Sequence, residues 1–411
     1  MKMPEKRPLR FTTSLLGLLL AALILAHCGG EPAGEADNAA WEAQRELARQ
    51  AVTENRLDDA ISAYERCIEL SANTDDRMTY EVRSLNGLGE VFRMRGELDQ
   101  ATKQFARAIE IKTEQLGADD LQLAVDSSNL ATHLLRAGRL DEAERYNLET
   151  IRILEANQGA DAPDTGVAYN NLGMVAWMQG DLPTAAERFE LAMERLQKAR
   201  LIDHPDTANA MNNLAQVEAQ QGKFDRAETL IREAIKIWNS NYGDASLRAA
   251  RGHNNLGEVM QLQGSLAQAE REYREALVML EASVGAEHPE VATTLNNLAL
   301  VQRKQGRMNE AESTYLRAAG MIERMGGAGR MDLAPTLFNL GRLYVAQKRY
   351  VEAEPYFQQA LAIYEEGAGE SHPNVAMVLR GYVEMLRAVG RDSEANPLAA
   401  RAEKILASAG S

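Results

Sequence analysis

The sequence is short of most of the groups from which active sites are built. Among 411 residues there are only two cysteines, Cys28 and Cys67. The six histidines (His27, His133, His204, His253, His288 and His372) lie apart from the cysteines and at none of the spacings that fold a metal site. The phosphate loop GxxxxGK[ST], a GxGxxG after a strand and the GxSxG nucleophile elbow are absent. Gly326-Gly327-Ala328-Gly329 is rich in glycine, but it has no Lys, Ser or Thr for a phosphate and no strand before it, so it reads as a connector. No enzyme, metal or cofactor is therefore expected. Aromatic residues make up 5% of the chain, as expected where alanine and leucine fill narrow gaps between helices. The conspicuous apolar run, Leu15 to Ala26, is too short for a comfortable membrane span.

What the sequence does have is a period. Gly306 is followed five residues later by Ala311, and the same pair occurs at Gly96/Ala101, Gly138/Ala143, Gly180/Ala185, Gly222/Ala227, Gly264/Ala269 and Gly390/Ala395. The register is 42 residues once Lys348/Ala353 fills the one gap, and Asn55/Ala60 adds an offset first copy. Within a copy, Leu295, Leu298, Ala299 and Val301 precede the glycine, and Met308, Ala311, Tyr315 and Ala318 follow it. Spacings of three and four mark one buried helix face on each side. The glycine stands where the first helix must end in a left-handed residue. Alanines 311 and 318 let two helices approach closely. Each copy is thus a helical hairpin that cannot bury its apolar face alone, and stacked copies share a continuous core. In the first copy Cys67 takes the place of Ala318 and reads as a small core residue.

Leu256-Gly257, Gly264, Ala269, Tyr273 and Ala276 resemble the tetratricopeptide repeat, whose usual unit is 34 residues. The 42-residue length, the Asn-Asn-Leu runs at 212–214 and 296–298, and the His-Pro pairs at 204–205, 288–289 and 372–373 resemble the kinesin-light-chain subtype. The resemblance implies an all-α fold, a right-handed superhelix (α-solenoid) of about nine helix-turn-helix repeats spanning residues 39–411, with the first and last copies divergent. The His-Pro loops read as helix starts, because proline is tolerated in the first helical turn.

Lys2, Lys6, Arg7 and Arg10 ahead of the apolar run form an export signal over residues 1–27. The following Leu25-Ala26-His27-Cys28 resembles a bacterial lipobox, which implies lipidation at Cys28; His27 departs from the usual small residue. The alternatives are cleavage nearby or an uncleaved anchor. Gly29 after the cysteine favours an outer-membrane lipoprotein, facing the periplasm or the cell surface. Residues 28–38 read as a flexible tether. The formal charge of −15 becomes −18 without residues 1–27, which carry four basic residues and one acid. A chain so acidic repels nucleic acid.

In the family the first helix of each repeat lines a concave groove, so its side chains are the expected contact surface. Two files of asparagine run along it. Asn129, Asn171, Asn213, Asn255, Asn297 and Asn339 form one, and Asn86, Asn170, Asn212, Asn254 and Asn296 the other. An amide donates and accepts, so it can hold an extended peptide backbone without reading its sequence. Alternatively, one file bonds a neighbouring helix backbone and only fixes repeat stacking. Trp177 and Met174 offer an apolar site. Toward the C-terminus the groove positions gather Arg303, Lys304, Arg342, Arg380 and Arg387, with Phe338 where an asparagine stands elsewhere. Guanidinium forks bind carboxylates in two-point fashion, so this end is expected to take an acidic segment or a C-terminal carboxylate; the alternative is that these arginines pair with glutamates of the next helix. The function expected is an exported, lipid-anchored scaffold that binds a peptide or helix of a partner protein and assembles an envelope complex. The alternative is a regulatory or sensory module controlling a partner enzyme or receptor.

Overall fold

The computed structural model describes residues 33–244, 246–326 and 330–409. Among them are eighteen α-helices and no strand. They fall into two compact units, one ending at Val175 and one beginning at Ala176. The first unit contains α1 (Ala33–Thr53), α2 (Leu57–Ser71), α3 (Arg77–Arg95), α4 (Leu98–Leu116), α5 (Leu121–Arg136), α6 (Leu140–Gln158) and most of α7 (Pro163–Met178). The second contains α8 (Leu182–Lys198), α9 (Pro205–Gln220), α10 (Phe224–Tyr242), α11 (Leu247–Leu262) and α12 (Leu266–Val284). It continues with α13 (Pro289–Lys304), α14 (Met308–Met325), α15 (Arg330–Ala346), α16 (Tyr350–Ala368), α17 (Pro373–Ala388) and α18 (Asp392–Ala409). Odd-numbered helices are the A helices of the repeats and even-numbered ones the B helices. Within each unit A packs on its own B, and each B on the A that follows.

The turn between A and B is built as the period predicts. Gly306 has φ +82°; its N–H donates to the Arg303 carbonyl and the Arg307 N–H to that of Gln302, both at 3.0 Å, which closes the free end of α13. Asn55 and Lys348 adopt the same left-handed conformation at φ +55° and +60°, where a side chain is crowded. The alanine five residues past the turn is fully buried in all nine copies, Ala60 through Ala395. Cys67 is likewise enclosed, and burial pushes its thiol up to about 12. The three His-Pro loops are helix caps. Nδ1 of His204, His288 and His372 accepts the backbone N–H two residues on at 3.2–3.3 Å, with proline at the first helical position.

Two features depart from the expectation. A second file of glycines ends the B helices; Gly285, with φ +86° and ψ 164°, stands for Gly117, Gly159, Gly243 and Gly369. Only glycine enters that region of backbone space readily. Secondly, α1 begins at Ala33, so residues 33–38 are helical rather than a flexible tether. Alanine-rich sequence with Glu35 in the first turn favours this start, and Asn38 Oδ1 accepts the Asp75 N–H at 3.3 Å. The export signal, Cys28 and residues 28–32 lie outside the described residues, as does most of the 326–329 connector.

Candidate functional site

In the second unit successive A helices touch, α9 with α11, α11 with α13, α13 with α15 and α15 with α17, whereas successive B helices stay further apart. The stack is therefore tighter on its A side, and the A helices line the inner face. On that face lie the side chains six, nine and ten residues before each turn.

The two asparagine files bond to each other. Nδ2 of Asn255, Asn297 and Asn339 donates to Oδ1 of Asn212, Asn254 and Asn296 in the preceding repeat, at 2.9, 3.3 and 3.0 Å. The expected partner, the backbone of the neighbouring helix, is replaced by a side-chain amide 43 residues away. Half-buried amides at a repeat interface are thereby satisfied in pairs. Asn170, Asn171 and Asn213 are half-buried too, and Asn170 and Asn213 also have partners. Asn212, Asn254 and Asn296 spend only an acceptor in the ladder, which leaves their amide hydrogens directed elsewhere.

Within the second unit the ladder is substituted once, and in both partners together. Phe338 replaces the accepting asparagine and Gly381 the donating one. A Cβ on Gly381 would stand 2.8 Å from the Phe338 ring, so the glycine is what makes room for it. Phe338 is 7% exposed and packs edge-on against Phe357 with ring centroids 6.0 Å apart. It is a core residue and not a groove contact, correcting the expectation drawn from its alignment with the asparagines.

Met174 packs against the Leu130, Leu134 and Val175 cluster of the first unit. Trp177 belongs to the second unit, half-buried, with Nε1 donating to Gln220 Oε1 at 3.4 Å.

The arginines divide sharply. From residue 289 on, Arg307, Arg317, Arg324, Arg349, Arg391 and Arg401, all on B helices or in turns, each have a carboxylate within salt-bridge range. Three of these pairs repeat one cross-repeat contact, Arg307–Glu270, Arg349–Glu312 and Arg391–Glu354, at 2.6, 2.8 and 2.8 Å. Arg391, and after it Tyr382, hold the Glu354 carboxyl below the usual carboxylate range. By contrast, Arg303, Lys304, Arg342, Arg380 and Arg387 on the A helices have no ion pair among the described residues. Lys304, Arg342, Arg380 and Arg387 are exposed. The Arg342 guanidinium stands 5.9 Å from the centre of the Phe338 ring. Arg303 is half-buried; it lies close enough to Tyr315 to offset part of the burial that pushes that phenol up to about 12. Arg380 and Arg387, with Val383, Glu384, Ala399, Ala402, Glu403 and Leu406, line a cleft of about 550 Å³ between α17 and α18. Glu384 lies one turn from each of these arginines and is within salt-bridge range of neither.

Glu258 stands at a groove position, six residues before the turn at Gly264. Glu258 is solvent-accessible and has no ion-pair partner among the described residues, yet the surrounding groove walls push its carboxyl above the usual range. His253 occupies a position held by Leu295, Leu337 and Leu379 in later repeats, and its Nδ1 lies 2.8 Å from Glu272 Oε2. No cluster of three or more metal-binding side chains occurs among the described residues.

The apo form of the quorum sensor NprR from B. thuringiensis is similar over 89% of this chain and 98% of that chain, at 14% identity and a TM-score of 0.60. The apo form of RapI is similar over 89% and 97%, at 11% identity and 0.57. A tetratricopeptide repeat protein from Parabacteroides merdae is similar over 73% and 99%, at 16% identity and 0.51. At such identities the likeness is one of fold. No curated protein matches the chain. The tetratricopeptide repeat family itself matches residues 40–114, 121–198, 164–240, 247–324 and 332–408. With its A and B helices, turn glycines and buried alanines in register over those spans, the chain belongs to the tetratricopeptide repeat family.

Proposed function

We propose that this protein is an interaction scaffold whose inner face, between α13 and α17, captures an acidic segment or a C-terminal carboxylate of a partner protein. Tetratricopeptide repeats form extended surfaces that bind protein or peptide partners, and the fold does not by itself choose one. The observation that carries the choice is the division of the arginines. In a chain of formal charge −15, the described arginines of the B helices and turns beyond residue 289 are paired, while Arg303, Arg342, Arg380 and Arg387 of the A helices have no ion pair among the described residues. Exposed guanidinium groups held apart from the protein's own carboxylates are free to form two-point contacts with an incoming one. The asparagines contribute less than their number suggests, because their mutual bonds hold the repeats in register.

Charge reversal of Arg342 and Arg380 tests this reading. The Arg342→Glu/Arg380→Glu protein is expected to keep its far-ultraviolet circular dichroism and to lose retention of an acidic peptide. Retention equal to that of the parent protein would remove the basis of the proposal.

We further propose that the scaffold acts at a bacterial cell envelope, exported through residues 1–27 and anchored by lipid on Cys28. The support is the order of basic residues, apolar run and cysteine in the sequence. Mass spectrometry of the mature N-terminus decides it: a diacylglyceryl-modified Cys28 is expected, and an unmodified or intact N-terminus refutes it.

A further inference from the structure

Glu258, Leu300 and Arg342 stand at one height in three successive A helices, each six residues before its turn position. Their helices, α11, α13 and α15, touch in sequence. A segment crossing the inner face along this line meets an acid, an apolar side chain and a base in that order. Glu258 and Arg342 are exposed and have no ion-pair partner among the described residues, and Leu300 is half-buried.

Touching helices lie about 8–10 Å apart. An extended chain in the polyproline II conformation advances about 3.1 Å per residue with three residues per turn. One turn of such a chain, about 9 Å, therefore matches one repeat step, and every third side chain returns to the same face. A β-strand would turn alternate residues away and miss the middle position.

We infer that this line of the groove reads a dipolar segment of period three, with a basic side chain on Glu258, an apolar one on Leu300 and an acidic one on Arg342. This deepens the proposal that the arginine-rich end takes an acid, and rests on it. The pairing fixes which end of the partner lies toward α17. The raised carboxyl of Glu258 fits the assignment, since a carboxylate among groove walls without a counter-charge gains most from an incoming cation.

The test uses the full chain in a non-ionic detergent and fluorescein-labelled peptides read by anisotropy. One peptide repeats glutamate at every third position among alanine and proline. A second carries Lys-x-x-Leu-x-x-Glu, a third is its reverse, and a fourth spaces the same three residues by four. One of the two period-three dipolar peptides is expected to bind about fivefold more tightly than the acid-only peptide. Glu258→Gln should erase that gain without weakening the acid-only peptide. If the dipolar peptides gain nothing, if spacing by four binds equally well, or if Glu258→Gln changes nothing, the inference fails while the reading of the arginines stands. If the acid-only peptide is not bound at all, the reading of the arginines fails, and the inference with it.

Discussion

Replacing the asparagines of the ladder by alanine should cost stability singly and almost nothing together. Asn255 and Asn212 share one bond of 2.9 Å between half-buried side chains. A bond of this kind contributes about 1 kcal/mol net. Alanine favours the helix interior over asparagine by about 0.5 kcal/mol. Asn255→Ala or Asn212→Ala alone therefore loses the bond and gains one propensity increment, a net cost of about 0.5 kcal/mol. The double variant loses the same single bond and gains two increments, so its stability should return to within about 0.3 kcal/mol of the parent. The coupling between the sites is then about 1 kcal/mol. Urea unfolding of the four proteins followed by circular dichroism, compared at equal denaturant slope, measures it. Costs that simply add in the double variant would show that the amides act independently, and the account of them as paired stacking elements would be wrong.

Three further consequences concern stability, measured by the same urea unfolding, and a fourth concerns peptide capture. Lys348→Gly should raise stability by about 1 kcal/mol, because Lys348 occupies a left-handed turn position at φ +60° that costs a side chain about 1–2 kcal/mol; an unchanged midpoint would refute the strain. Gly257→Ala should cost about 1–2 kcal/mol, since the new Cβ would stand 2.8 Å from the fully buried Tyr273 ring, and the better helix propensity of alanine offsets only about 1 kcal/mol of the overpacking. Because Arg391 depresses the Glu354 carboxyl, that carboxylate stabilises the fold above the ordinary carboxylate range and ceases to as pH falls through its lowered folded value. Glu354→Gln should therefore flatten the loss of stability on acidification below about pH 4.3; an unchanged slope would count against the pair. Raising salt should weaken acidic-peptide capture steadily, and capture indifferent to salt would exclude the arginines as its source.

How far the sequence could be read depended on the range of the interaction. The 42-residue spacing of turn glycines and buried alanines is local, because a left-handed turn and a close helix crossing each demand a residue type at a position. Nine hairpins, the left-handed conformations of Asn55 and Lys348, and the helix-start role of the His-Pro loops could all be read from it. The second glycine file obeyed the same local rule and could have been found by the same search. The inner face was legible only as a set of positions. Whether an amide there meets a ligand or a neighbouring amide depends on what the next repeat places opposite it, and the two residues of each pair are 43 positions apart. Phe338 looked like a groove residue until Gly381, in the next repeat, showed where its ring goes. The arginines are the clearest case. Their side chains are long enough to reach several carboxylates, so composition predicts that they are charged but not whether they are paired. Arg349 finds Glu312 across the repeat boundary, whereas Arg380 and Arg387 flank Glu384 and remain apart from it. Sequence alone determined the array, because the repeat is specified within each hairpin; the tertiary structure decided which charges the array leaves open, because ion pairing is settled between hairpins.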